Sequence, residues 1–178
     1  MPEKENRPLV GIVMGSDSDL PIMAEAVQVL ASFNVPCEVR ILSAHRSPRQ
    51  TSEYAKSAAE RGLQVLIAGA GWAAHLAGVL AAETILPVIG VPIASSPLQG
   101  VDALYSTVQM PPGVPVATMA IGKGGARNAA LFAVQILALH DPAIAAQMRR
   151  HKLQMAEQVL EKNQKLQTQM AMASSQAE

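Results

Sequence analysis

Cysteine is almost missing from this 178-residue chain: Cys37 stands alone. That excludes an intramolecular disulfide and a zinc held by a cysteine cluster, and it points to a reducing compartment. No charge of either sign is in excess, since fourteen Lys and Arg balance fourteen Asp and Glu. The basic face of a protein that binds nucleic acid through its phosphates is therefore not expected. Aromatic residues make up only 3%, and Trp72 is the single tryptophan. No apolar run nears the ~18–20 residues of a membrane span, and the opening MPEKENRPLV lacks the apolar stretch of a secretory leader. A cytoplasmic protein with neither membrane nor nucleic-acid partners is expected.

Aliphatic side chains are what the chain has in plenty. Hydrophobic residues reach 49% and charged ones 16%, against ordinary values of ~45–50% and ~25%. At a length suited to one domain, such a chain buries a large core and keeps apolar surface to spare. Self-association follows as an expectation.

Runs rich in Val, Ile and Leu recur at 9–14, 37–42, 65–68, 88–91 and 116–121, each bounded by Gly, Ser or Pro. Several are apolar throughout, as in strands covered on both faces. Stretches with helical spacing lie between them, such as Met23, Val27 and Leu30. Alternating β and α elements predict a parallel sheet with helices on both sides. Ser47-Pro48-Arg49-Gln50 reads as a capping box, and Pro21 after Asp19 or Leu20 opens the first helix. A long interruption over 93–115 surrounds a short apolar helix near 101–108, and connections of this length often hold function. The expected organisation is a flexible N-terminus (1–8), a catalytic α/β domain (9–141), a C-terminal helix (142–170) and a frayed tail (171–178). Along that helix Ile144, Met148, Met155, Val159, Leu166 and Met170 form a narrow apolar stripe suited to a neighbouring subunit.

In an open α/β sheet, ligands bind beyond the carboxyl ends of the strands, where strand order reverses. The loop after the first run, Gly15-Ser16-Asp17-Ser18-Asp19, offers hydroxyls and amides at a helix N-terminus, which suits phosphate. Asp19 would repel a phosphate but accept hydrogen bonds from ribose; Ser18 or Asp19 could equally just cap the helix. After the second run comes Ser43-Ala44-His45-Arg46. An arginine there can grip phosphate through two parallel bonds, and the adjacent histidine can pass a proton near neutral pH. The plainer alternative pairs Arg46 with Glu53 or Glu38 and satisfies His45 with backbone. After the third run, Gly69-x-Gly71-x-x-Ala74 matches the dinucleotide fingerprint formally, but it follows the wrong strand and lacks the acidic residue ~20 positions on. Its glycines are expected to let backbone approach a flat ligand, while His75 faces that ligand or stabilises the turn. Gly122-Lys123-Gly124-Gly125 lacks the spacing of a triphosphate-binding loop. Ala68-Gly69-Ala70 leaves no acidic phosphoacceptor for a response regulator.

These loops, with Pro87-Val88-Ile89-Gly90-Val91-Pro92 and Val108-Gln109-Met110-Pro111, resemble the class I N5-carboxyaminoimidazole ribonucleotide mutases, the PurE family of purine biosynthesis, in order from Val10 to Asp141. The resemblance implies a three-layer flavodoxin-like fold, a homo-octamer, no metal or organic cofactor, and a place downstream of N5-carboxyaminoimidazole ribonucleotide synthetase. It implies a reaction that moves a carboxylate from an exocyclic nitrogen to ring carbon C4. By the same likeness Ser16, Ser18, Asp19, Ser43 and Arg46 hold the ribose phosphate. Ala70, Gly71, His75 and Leu76 line the base and carboxylate pocket, and His45 is the general acid/base. Two positions depart from the family stretch Gly-Gly-Ala-Ala-His-Leu-Pro-Gly: Trp72 replaces its second glycine, and Ala77 its proline. An ordinary φ is expected at Trp72, the alternative being a changed pocket wall or subunit contact. Arg46 and Ala73-Ala74-His75 favour a mutase over a carboxylase that uses CO2 directly, the second reading; a non-catalytic nucleotide-binding module is the third.

Overall fold

The structure, a computed structural model, describes residues 7–175. Its five strands are all parallel: β1 (Val10–Met14), β2 (Cys37–Ile41), β3 (Val65–Gly71), β4 (Val88–Ile93) and β5 (Ala117–Thr118), in the order β2-β1-β3-β4-β5. Six helices cover them: α1 (Leu20–Ser32), α2 (Pro48–Ser57), α3 (Leu76–Glu83), α4 (Val101–Val108), α5 (Lys123–Ala138) and α6 (Pro142–Ser175). This is the three-layer, flavodoxin-like α/β arrangement with an added C-terminal helix, and its strand order reverses between β1 and β3.

The apolar runs are continuous because both sheet faces are buried. Successive side chains point to opposite faces. Val10, Ile12 and Met14 of β1 therefore join Val65 and Ile67 of β3 against α1 and α5. Val13, Leu66 and Ala68 instead meet Ala55 of α2 and Leu76 and Leu80 of α3. Ile12, Ile67 and Leu80 are wholly buried, each contributing about 1.5–3 kcal/mol by leaving water. Beta2 lies at the sheet edge and is half covered, which leaves Val39 and Ile41 exposed.

Three local expectations need correction. Ser47 precedes α2 but does not cap it; its hydroxyl accepts the Ser43 amide at 2.9 Å and donates to the Ser43 carbonyl at 3.1 Å. Pro48 at the first helical position has no N–H to satisfy, so the serine is free to close the preceding loop. The fifth run gives only a two-residue strand. Beta3, by contrast, runs three residues past its expected end, so Gly69, Ala70 and Gly71 pair with β4 rather than forming a loop. Gly71 is needed there because an added Cβ would overlap the Ser95 hydroxyl and the Ile93 carbonyl.

Helix α6 divides the expected stripe. Ile144 and Met148 are buried in the chain's own core, whereas Met155, Val159, Leu166 and Met170 are exposed. The start of the helix is thus part of the domain rather than an addition to it. Asp141 caps it, its carboxylate accepting the Ala143 and Ile144 amides at 2.8 and 3.1 Å. The helix continues to Ser175, so residues 171–175 are helical rather than frayed. Positions 1–6 and 176–178 of the expected termini lie outside the described residues. Among the described residues no helix is long and apolar enough to cross a membrane.

Glu38 of β2 ties the sheet edge to the turn after α2 by pairing with Arg61 and, at 3.4 Å, with Arg40. Burial, the largest single influence, would raise its carboxyl; the Arg61 guanidinium, the Tyr54 hydroxyl and the Arg40 charge together outweigh that and hold it below the usual range. With the folded-state value below the unfolded one, this stabilisation is complete above the ordinary value of 4.5 and is lost as pH falls through the folded-state value. Glu38→Gln should therefore melt below the wild type at neutral pH, with the gap narrowing as pH falls below the ordinary carboxyl range. Melting curves separated by a constant gap from pH 7 to pH 3 would reject this.

Candidate active site

Loops after β1, β2 and β3, with Ser95 after β4, enclose one cavity of about 530 Å³ at the switch point. It is lined by Ser16, Ser18, Asp19, Ser43, His45, Arg46, Ala70, Gly71, His75 and Leu76. Every residue expected at the site is thus brought together.

The first loop is held by its own polar groups. Ser16 caps a 3₁₀ turn over Asp17–Asp19, and Asp19 completes a capping box by accepting the Ser16 amide at 3.1 Å. The cap is therefore Ser16, not Ser18 or Asp19. The Ser18 hydroxyl donates to Ser16 Oγ at 3.0 Å, and Ser16 Oγ to Asp17 Oδ1 at 3.0 Å. Asp19 is only 5% exposed. Burial pushes its carboxyl up, while the Ser16 amide and the Arg46 charge pull it down.

The second loop is pinned at both ends. Ser43 receives the Ser47 amide on its carbonyl at 2.9 Å, and its Oγ accepts the Arg46 amide at 3.1 Å. The Ser43 hydroxyl proton is left for a ligand. Arg46 donates to the Gly15 carbonyl at 2.6 Å, which orients its guanidinium across the end of β1. The carboxylates that were its alternative partners are engaged elsewhere: Glu53 with Arg49 at 2.8 Å, and Glu38 with Arg61 and Arg40. Among the described residues Arg46 has no salt bridge, so its charge is available to an anion.

His45 and His75 meet ring to ring, Nε2 of the first 2.7 Å from Nδ1 of the second, with the rings at 82°. They follow strands separated by β1, whose ends stand about 10 Å apart, so the contact bridges the switch point. One ring must donate and the other accept, which couples the two tautomers. His45 is thus not satisfied by backbone. His75 occupies the residue before α3 without capping it, and both rings are exposed. Among the described residues no group of three or more His, Cys, Asp or Glu side chains could hold a metal ion.

Trp72 overturns the expectation of ordinary backbone, for its φ is +54°. Holding a bulky side chain there costs about 1–3 kcal/mol. It lines the cavity, as do Ala44, Ala73 and Ser95. Ser95 was legible only as part of the Ser-Ser-Pro punctuation after β4; the rule that ligands meet strand ends would have found it. Gly122-Lys123-Gly124-Gly125 and Val108-Gln109-Met110-Pro111 do not line the cavity, and Lys123 pairs with Glu25 at 3.6 Å.

An open parallel sheet with hydroxyls, one unpaired arginine and a coupled histidine pair at its switch point defines an α/β protein built for a small anionic ligand. The family described as AIR carboxylase matches residues 9–158, and the chain belongs to that family. A protein named N5-carboxyaminoimidazole ribonucleotide mutase in Pyrococcus horikoshii is 56% identical over 163 residues, 92% of this chain and 91% of the relative. Its namesake in Synechocystis is 57% identical over 159 residues, 89% of each chain. In Saccharomyces cerevisiae the protein named phosphoribosylaminoimidazole carboxylase is 57% identical over 162 residues, 91% of this chain but 28% of the relative. The crystal structure of Treponema denticola PurE superimposes with a TM-score of 0.79 at 30% identity, over 90% of this chain and 99% of that one.

Replacing His75 by Phe keeps an aromatic ring and removes the acceptor or donor facing His45 Nε2. Its ring ¹⁵N shifts, distinct for a held tautomer in the wild type, should then move towards those of a tautomer mixture. Unchanged His45 shifts in H75F would show that the ring contact does not select the tautomer.

Proposed function

We infer that this chain is an isomerase of purine biosynthesis, converting N5-carboxyaminoimidazole ribonucleotide to 4-carboxy-5-aminoimidazole ribonucleotide. The observation that carries the reading is the His45–His75 pair, 2.7 Å apart beside an arginine with no salt bridge. The names of relatives matched over nine-tenths of the chain support it.

The ribose phosphate lies at Arg46, with the Ser43 hydroxyl as a further donor and those of Ser16 and Ser18 joining when they turn from Asp17 Oδ1 and Ser16 Oγ to the ligand. Asp19, which accepts the Ser16 amide on Oδ2, can accept from the ribose hydroxyls as well. The aminoimidazole lies against the backbone of Ala70, Gly71 and Leu76, within reach of both histidines. Cleavage of the N–carboxylate bond releases CO2 and leaves the electron pair on the aminoimidazole. C4 attacks CO2 while both fragments remain enclosed at high effective concentration. His45 then takes the proton from C4, and one proton is returned to the exocyclic nitrogen. Protons taken and given balance, so one histidine serves both ends and needs no external acid or base. Scarcity of charge around the leaving carboxylate favours its loss.

The active form is a homo-octamer in the cytoplasm, supplied by the ligase that N-carboxylates the ribonucleotide. The cavity's exposed histidines and the uncovered apolar stripe of α6 support assembly, and the single cysteine supports the compartment. Direct carboxylation by CO2 is the second reading, favoured by the name of the yeast relative.

Purified protein should turn over the N-carboxylated ribonucleotide and leave aminoimidazole ribonucleotide with bicarbonate essentially unconverted; the reverse preference would establish the carboxylase. His45→Asn should lower kcat about 10²–10⁴-fold, and undiminished turnover would remove His45 from the chemistry. Ending the chain after Gln154 spares Ile144 and Met148 but deletes the whole exposed part of the stripe, so light scattering should report a smaller assembly. An unchanged mass would show that the stripe is not a subunit contact.

A further inference from the structure

Trp72 breaks the pattern of the chain around it. It is the single tryptophan, it takes left-handed backbone at φ +54°, and it is 59% exposed. Among the described residues its indole makes no ring contact and no hydrogen bond. A large aromatic held in a disfavoured conformation, with little burial in return, is maintained by what it meets outside this subunit's core. Its position indicates what that is. Of the groups that suit an anion, Ser16, Ser43 and Arg46 extend from the cavity into an adjoining hollow and Ser18 does not; Trp72 shares the cavity proper with the two histidines.

We propose that Trp72 is a specificity-determining residue whose indole covers the face of the ligand's planar heteroaromatic ring and shields it from water beside the histidine pair. This rests on reading the cavity as a ribonucleotide site. The indole selects ligands that carry a flat ring over sugar phosphates that do not, because only the ring offers it a surface to pack on. It acts on binding of the ring, not on proton transfer.

As the sole tryptophan, Trp72 is its own reporter. Titration with aminoimidazole ribonucleotide should shift and quench its emission saturably, while ribose 5-phosphate, bound as judged by calorimetry, should leave emission unchanged. W72G, which accepts the left-handed backbone without strain, should raise KM roughly three- to tenfold, with the larger change in KM rather than kcat. W72F should recover most of that affinity. Emission indifferent to a ribonucleotide that calorimetry shows to be bound, or a wild-type KM in W72G, overturns the proposal while leaving the reading of the site intact. Emission that responds to protein dilution but not to ligand also overturns it and assigns the indole to a second copy of the chain. If neither ligand binds, the ribonucleotide site itself is rejected, and the role of Trp72 falls with it.

Discussion

Strands β1, β3 and β4 are buried on both faces, and that burial governs where anything polar can stand. A parallel sheet sandwiched between helices leaves its polar groups the strand ends and the outer helix surfaces. Because β1 sits between β2 and β3, the chain departs in opposite directions from the two sides of β1 and opens a crevice over it. Arg46 reaches across that crevice to Gly15, and His45 reaches across it to His75. The site is a by-product of topology until these two bridges make it specific.

Serine hydroxyls do much of the local building. Ser16 shapes the first loop through the Ser18 amide and the Asp17 and Ser18 side chains, and Ser47 closes the second through the Ser43 backbone. Such closure orders the loop before a ligand arrives, lowering the entropy lost on binding. Asp19 shows the same economy: a buried carboxyl orients the Ser16 amide and also forms part of the cavity wall.

Much of this was readable in the residues. The apolar runs marked the strands because two-sided burial leaves an uninterrupted hydrophobic signature, and α4 emerged over 101–108 as its pattern and flanking turns indicated. Most of the residues expected at the cavity were legible because they follow a strand, whereas Ala70 and Leu76 came from the family resemblance, and Ala70 and Gly71 stand within β3. What escaped depends on distant partners. Gly69 to Gly71 resemble a loop until β4 is beside them; there, Gly71 is dictated by Ser95 and Ile93. Ser47 has the composition of a cap, but a loop four residues back claims its hydroxyl. Ile144 and Met148 belong to the same periodic stripe as Val159 and Leu166, and periodicity cannot tell a core from a neighbour's surface. Local propensity favours ordinary φ at Trp72, so its departure was visible only in the folded backbone.

Helix α6 has 34 residues, a rod of about 50 Å. It is anchored at one end, through Ile144, Met148 and the edge-on contact of His151 with Phe33. Beyond that anchor its exposed residues have little of this domain to pack on, and a helix without tertiary packing draws only modest stability from its own backbone bonds. Whatever covers its stripe also supplies the stability of the rod, so order in the distal half and association become one equilibrium, and dilution acts on both together.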